Sequence, residues 1–125
     1  MNKNSNILFI KEENSEFNYE TQAFDSFFEK VEMVLGEQKA LKLIYKNKYD
    51  VIVNDMSVDV EEGITLMKQL KEMKPQQEFV SLVLPKDEER IGDLMEAGVH
   101  TFVLTLEQFD QALEAIAHLD PAAKD

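Results

Sequence analysis

The carboxylate of Asp55 is the first group to weigh. In YDVIVNDMSVDVEEG, Tyr49 to Gly63, the apolar run Val51-Ile52-Val53 ends in Asn54-Asp55, and Gly63 follows eight residues after the acid. An acid in that place is either the polar end of a buried strand or the reactive group of a site. A second ionisable pair, Lys11-Glu12, directly follows the apolar run Ile7-Leu8-Phe9-Ile10. It consists of ordinary loop charges or of partners in the same site. Glu61-Glu62, just before Gly63, favours a helix start, because carboxylates are stabilised near the positive end of a helix dipole. His100 and His118 have no third ligand near them in the pattern and are expected in structural or surface roles.

Enzymatic chemistry finds little support. The sequence has no Gly-rich nucleotide loop, metal-spaced histidine cluster or nucleophile–base pair. A flavin phosphate would meet Lys11-Glu12-Glu13-Asn14-Ser15-Glu16 after the first apolar run, whose acids repel it. Asp55 and Asp59 are too far apart for the Asp-x-Asp pattern of phosphoaspartyl phosphatases.

The elements that must carry Asp55 are legible as alternating patterns. Ile7–Ile10, Val51–Val53, Val80–Leu84 and Phe102–Leu104 are short and nearly continuous apolar runs, suited to strands covered on both faces of a parallel sheet. Val31-Glu32-Met33-Val34 alternates in part and suits an edge. Five helical stretches lie between and after them. Phe17, Phe24, Phe27 and Phe28 line the first; Ala40, Leu41, Ile44 and Tyr45 the second; Leu66, Met67, Leu70 and Met73 the third. The third stops at Lys74-Pro75, since proline disfavours helix in the residue before it. Ile91, Leu94 and Met95 mark the fourth, with Gly98 as its left-handed C-cap. Phe109, Leu113, Ile116 and Ala117 mark the fifth, opened by the capping box Thr105-x-x-Gln108. These stripes are expected in the core. Five strand–helix units imply a doubly wound α/β sheet, whose ligands bind at the carboxyl ends of strands near the topological switch point. Asp55 stands at such an end.

Length and composition fit this picture. The chain has 125 residues, 44% hydrophobic and 30% charged, enough for a single core. Residues 1–119 are expected to form one domain and residues 120–125 a tail or the start of a linker. No apolar run approaches the ~20 residues of a membrane helix. With no cysteine, disulfides and thiolate metal sites are excluded and a cytoplasmic location is expected. The net charge of −12 disfavours nucleic acid, which requires a basic surface to displace counterions, and fits protein partners.

With this order of elements, the chain resembles a response-regulator receiver domain of the chemotaxis type over about residues 6 to 118. ALKLIYKNKYDVIVNDMSVDVEEG matches the second helix, a Tyr-Asp pair, the third strand, the acceptor Asp and the later Gly; in EAGVHTFVLT, Gly98 and Phe102 stand where the family has its Gly-Ala and its switch aromatic. The resemblance implies a five-stranded sheet of order 2-1-3-4-5 with helices on both faces. It also implies that Asp55 accepts a phosphoryl group from a histidine kinase, aided by Mg²⁺ on two acids and a backbone carbonyl, a hydroxyl ending strand four and a lysine ending strand five. Such transfer is mostly positioning and charge stabilisation.

Laid on that pattern, Asp55 is the acceptor, and Lys11-Glu12 replaces the acidic pair. Ser57 offers the backbone carbonyl, so the metal set is Glu12, Asp55 and Ser57. Leu84, or Pro85 with a one-residue slip, takes the place of the hydroxyl, and Thr105 that of the lysine. Thr105 alternatively caps the last helix. Lys11 is expected to pair with Asp55 in place of the metal, so Mg²⁺ binding should be weak. Asp55 is then a relic carboxylate in a phosphorylation-independent module or, alternatively, a working acceptor. The face of the fourth helix, fifth strand and fifth helix, carrying Arg90, Asp93, Phe102, Gln108 and Gln111, is the one the family uses for dimers and targets. Phe102 serves there or in the core.

Overall fold

The structure is a computed structural model and describes residues 6–11, 28, 30–56 and 59–119. Phe17, Phe24 and Phe27 of the first helical stretch, Glu12, Ser57 and the tail 120–125 lie outside the described residues.

Strands β1 (Asn6–Lys11), β2 (Lys30–Leu35), β3 (Val51–Asp55), β4 (Glu78–Val83) and β5 (His100–Val103) form one sheet in the order β2-β1-β3-β4-β5. All four ladders are parallel. The described helices are α1 (Glu37–Lys46), α2 (Val60–Met73), α3 (Ile91–Glu96) and α4 (Phe109–Leu119); they are the second to fifth helical stretches of the sequence. The doubly wound architecture expected from the alternation is the one observed, with β2 at an edge.

Neighbouring residues of a strand point to opposite faces, and here both faces are covered. Leu8, Ile10, Ile52, Phe79 and Val83 meet Ala40 and Ile44 of α1, Met67 and Leu70 of α2 and Leu94 of α3. On the other face Ile7, Phe9, Val51, Val53, Val80 and Leu82 meet Phe28 and the α4 residues Phe109, Leu113 and Ile116. Phe9 and Phe109 close this layer edge to face, with centroids 6.1 Å apart. That double coverage is why these strands read as nearly continuous apolar runs.

Local chemistry sets the helix ends. Asp59 caps α2, its carboxylate accepting the Glu62 N–H at 3.0 Å and so satisfying one of the free amides of the first turn. The helix stops before Pro75 with Lys74 as its C-cap, as expected. The Lys74 ammonium donates to the Ile44 carbonyl at 2.9 Å, placing a cation at the negative end of α1. Gly98, at φ +84°, ends α3 as expected. Its N–H reaches Met95 O and the Val99 N–H reaches Leu94 O, both at 3.0 Å, the paired bonds of a left-handed helix stop.

The helical stripes are narrower than the spacing implies. Tyr45, Met73 and Met95 are 73%, 37% and 65% exposed, contrary to their assignment to the core. Each residue turns about 100° around a helix of 3.6 residues per turn, so Tyr45 and Met95, one step beyond the buried Ile44 and Leu94, swing past the sheet. Met73 is the last residue of its helix and overhangs the core.

Candidate functional site

Because all ladders are parallel, the carboxyl ends of β1, β3, β4 and β5 share one rim, which carries Lys11, Asp55, Leu84 and Thr105. The chain departs in opposite directions from β1 and β3, and Asp55 stands beside that switch point, where open α/β sheets bind ligands. Asp55 is 1% exposed. The β1–β3 ladder runs to Ile10–Asn54, so Lys11 and Asp55 are the next residues on their strands, and alternation puts both on the Phe9–Val53 face. Lys11 is half-buried.

Asp55 is in register with Leu82, and the Met56 N–H that follows donates to Leu82 O at 3.0 Å. The β3 end is therefore tied firmly to β4. Leu84, directly after β4, is buried at 7% exposure among the α4-side apolar residues. Its carbonyl accepts the Asp87 N–H at 2.9 Å, which starts a 3₁₀ helix, Pro85–Arg90. Thr105 is exposed and precedes a second 3₁₀ turn, Leu106–Gln108, that leads into α4. Its N–H donates to the Gln108 carboxamide oxygen at 2.8 Å, and its carbonyl accepts the Gln108 N–H at 3.1 Å. The Thr105-x-x-Gln108 signal thus marks a real helix entry, by way of a 3₁₀ turn.

Phe102 is half-buried, packs against the α4-side core and pairs in register with Leu82. It lines a shallow groove of ≈ 180 Å³ with Leu104, Gln108, Gln111, Ala112 and Ala115. Arg90 bridges two elements, one guanidinium nitrogen on Glu61 of α2 and the other on Asp93 of α3 at 3.1 Å. Sequence reasoning placed Arg90 and Asp93 on a common face but missed the link to Glu61, because nothing local couples positions so far apart in the chain. His100 takes the surface role expected of it, its ring Nε2 2.8 Å from Glu78 Oε2.

Two further features sit directly beneath Asp55 and were not anticipated. Asn54 and Ser81 are register neighbours on β3 and β4, are 1% and 0% exposed, and face the α2 side. Asn54 Oδ1 and Ser81 Oγ have no hydrogen-bond partner among the described residues. Met56, fully buried, lies against Gly63; a Cβ on Gly63 would fall 2.7 Å from Met56 Cγ. The glycine eight residues after the acid is there because the chain following Asp55 packs onto the first turn of α2.

A hard dication is best held by several oxygen ligands with carboxylates among them. Among the described residues, no three His, Cys, Asp or Glu side chains are grouped to hold a metal ion. Of the three positions expected to ligate, only Asp55 is described, and the residue at the neighbouring strand end is a lysine. Within the described part of the site, Asp55 supplies one carboxylate, and the Lys11 ammonium adds charge that opposes a dication.

The fold agrees with comparisons against known proteins. Residues 7–117 match the family model of the response regulator receiver domain, and the chain belongs to that family. No curated protein matches the sequence significantly. Among solved structures, it is similar to an adenylate cyclase from Rhodopirellula baltica, with 20% identity and a TM-score of 0.70 over 92% of this chain and 88% of that one. It is also similar to a two-component response regulator from Clostridium difficile, with 21% identity, TM-score 0.61, and 91% and 96% coverage. A Francisella response regulator receiver domain gives 21% identity and TM-score 0.61 over 93% and 98% of the two chains.

Proposed function

We propose that this receiver domain acts in two-component signalling by docking to other proteins, without depending on phosphorylation of Asp55. The observation that carries this reading is the residue set of the carboxyl rim. Asp55 is retained and buried, yet buried Leu84 follows β4 where a hydroxyl would grip a phosphoryl group. Thr105 stands where a lysine would and is engaged in a helix entry. A ligand shifts a conformational equilibrium only through contacts that differ between states. A phosphoryl group at Asp55 would find no hydroxyl at Leu84 and no ammonium at Thr105, so its leverage on the fourth-strand loop is small.

Lys11 supplies a fixed positive charge at the same corner. Its ammonium takes over the charge balance that Mg²⁺ provides in working members, with Glu12 and the Ser57 carbonyl as the remaining candidate ligands. The domain is a signalling module of the cytoplasm and not an enzyme. Its docking face is built from α3, β5 and α4 around Phe102 and Gln111, where the groove beside β5 offers apolar contact. The partner is a histidine kinase, a downstream target or a second copy.

Adding beryllofluoride with millimolar Mg²⁺ to isotope-labelled protein tests the reading. Amide shifts should stay unchanged around Asp55 and across α3, β5 and α4. Saturable shifts centred on Asp55 that spread to Phe102 would instead establish a phosphorylation-competent regulator.

A further inference from the structure

Positive charge is concentrated on one element far from Phe102. Between Glu37 and Lys48 the chain has four lysines, Lys39, Lys42, Lys46 and Lys48, against the single acid Glu37. That segment carries +3, so the remainder of the chain carries −15 of the net −12. All four lysines are exposed, and none forms an ion pair among the described residues. Lys39, Lys42 and Lys46 recur at i, i+3 and i+7 and so share one stripe of α1. It is the stripe opposite the buried Ala40 and Ile44.

An aromatic borders that stripe. Tyr45 sits three residues after Lys42 and is 73% exposed, although a tyrosine of this helix has a core close by to enter. Exposed tyrosine contributes large contact area at a low cost in side-chain freedom, which is why it is enriched in protein interfaces. A lysine stripe kept only for solubility has no use for it.

We infer that the α1 face of Lys39, Lys42, Tyr45 and Lys46 is a docking surface for a short acidic segment of a partner polypeptide that carries an apolar side chain for Tyr45. The charge map selects this occupant. A nucleic-acid duplex or an anionic membrane presents an extended negative surface, which a chain carrying −15 outside this segment repels. Repulsion of that kind is felt over about 8 Å at physiological ionic strength. A short acidic stretch meets only the island. From Lys39 to Lys46 the helix rises about 10 Å, which three or four residues of extended chain span at about 3.3 Å each. The surface is a different element from α3, β5 and α4, and its use does not involve Asp55.

Titration of labelled protein with two synthetic peptides provides the test, one of alternating Asp and Glu with a central Phe and one with Gly in its place. Saturable, salt-sensitive amide shifts are expected from Glu37 to Lys48, with tighter binding of the Phe peptide. The variant carrying Lys42→Glu and Lys46→Glu should lose roughly tenfold in affinity, as attractive surface pairs become repulsive, while Lys42→Arg with Lys46→Arg retains binding. Tyr45→Ala should bind both peptides equally. Helicity by circular dichroism, unchanged in each variant, assigns these losses to the surface. The inference is overturned if α1 amides do not respond to either peptide. It is overturned equally if duplex DNA or phosphatidylserine vesicles bind this helix better than the Phe peptide, or if sedimentation shows self-association that the glutamate variant abolishes.

Discussion

Gly63 and Met56 give the most local account of why the segment after Asp55 has its spacing. Placing a methyl group 2.7 Å from Met56 Cγ forces a fully buried side chain to move, and overpacking of this kind costs about 1–3 kcal/mol. Alanine regains about 1 kcal/mol of helix propensity over glycine. Gly63→Ala should therefore lower stability by about 1 kcal/mol in urea unfolding, and the loss should vanish in a Met56→Ala background. An equal loss in both backgrounds would mean that Met56 is not the obstacle. Ser81 makes the opposite prediction. Its hydroxyl is buried beside Asn54 with no partner among the described residues, and an unsatisfied buried polar group costs about 1–3 kcal/mol. Ser81→Ala should be neutral or stabilising by up to about 1 kcal/mol; a clear destabilisation would show that the hydroxyl is bonded. Both features escaped sequence reading for the same reason. Gly63 was visible as a position but not as a contact, and Ser81 looked like one small residue in an apolar run until strand register placed it next to Asn54.

The element scale is where the sequence was most legible. Apolar runs, Pro75, Gly98 and Thr105-x-x-Gln108 mark boundaries because each acts on backbone geometry close to itself. Tyr45 and Met95 misled because a stripe drawn one residue too wide includes side chains that face water. Bonds between distant elements could not be read at all. Tyr49, at the entrance to β3, donates its phenol to Glu32 Oε1 on edge strand β2 at 2.8 Å. Burial first, then the hydrogen bond to Glu32 and its negative charge, push the Tyr49 phenol up from 10.0 to about 12. The folded state therefore keeps a proton that the unfolded chain releases near pH 10. The stability from this bond is full below pH 10 and is lost as pH rises towards 12. Comparing urea midpoints of the protein and of Tyr49→Phe from pH 8 to 12 isolates it. The difference between the two should shrink across the upper two pH units; a constant difference would remove the link to phenol ionisation.

For the whole molecule, the sheet order places Asp55, Lys11, Leu84 and Thr105 on one rim and sets Phe102 on edge strand β5, across Leu82 from Asp55. The proposed function rests on Leu84 and Thr105, which stand on this rim where the resemblance implies a hydroxyl and a lysine. The fold could be inferred from alternation alone, because covering both faces of a parallel sheet imposes a pattern on every strand. The state of the site could not, because it depends on whether few remaining contacts suffice to hold one oxyanion. Incubation with excess acetyl phosphate and Mg²⁺, followed by intact mass and amide shifts on the same sample, addresses that point most directly. Asp55 should acquire no phosphoryl adduct, and α3, β5 and α4 should show no change. A stoichiometric adduct, abolished by Asp55→Asn and accompanied by shifts at Phe102, would contradict the proposed function.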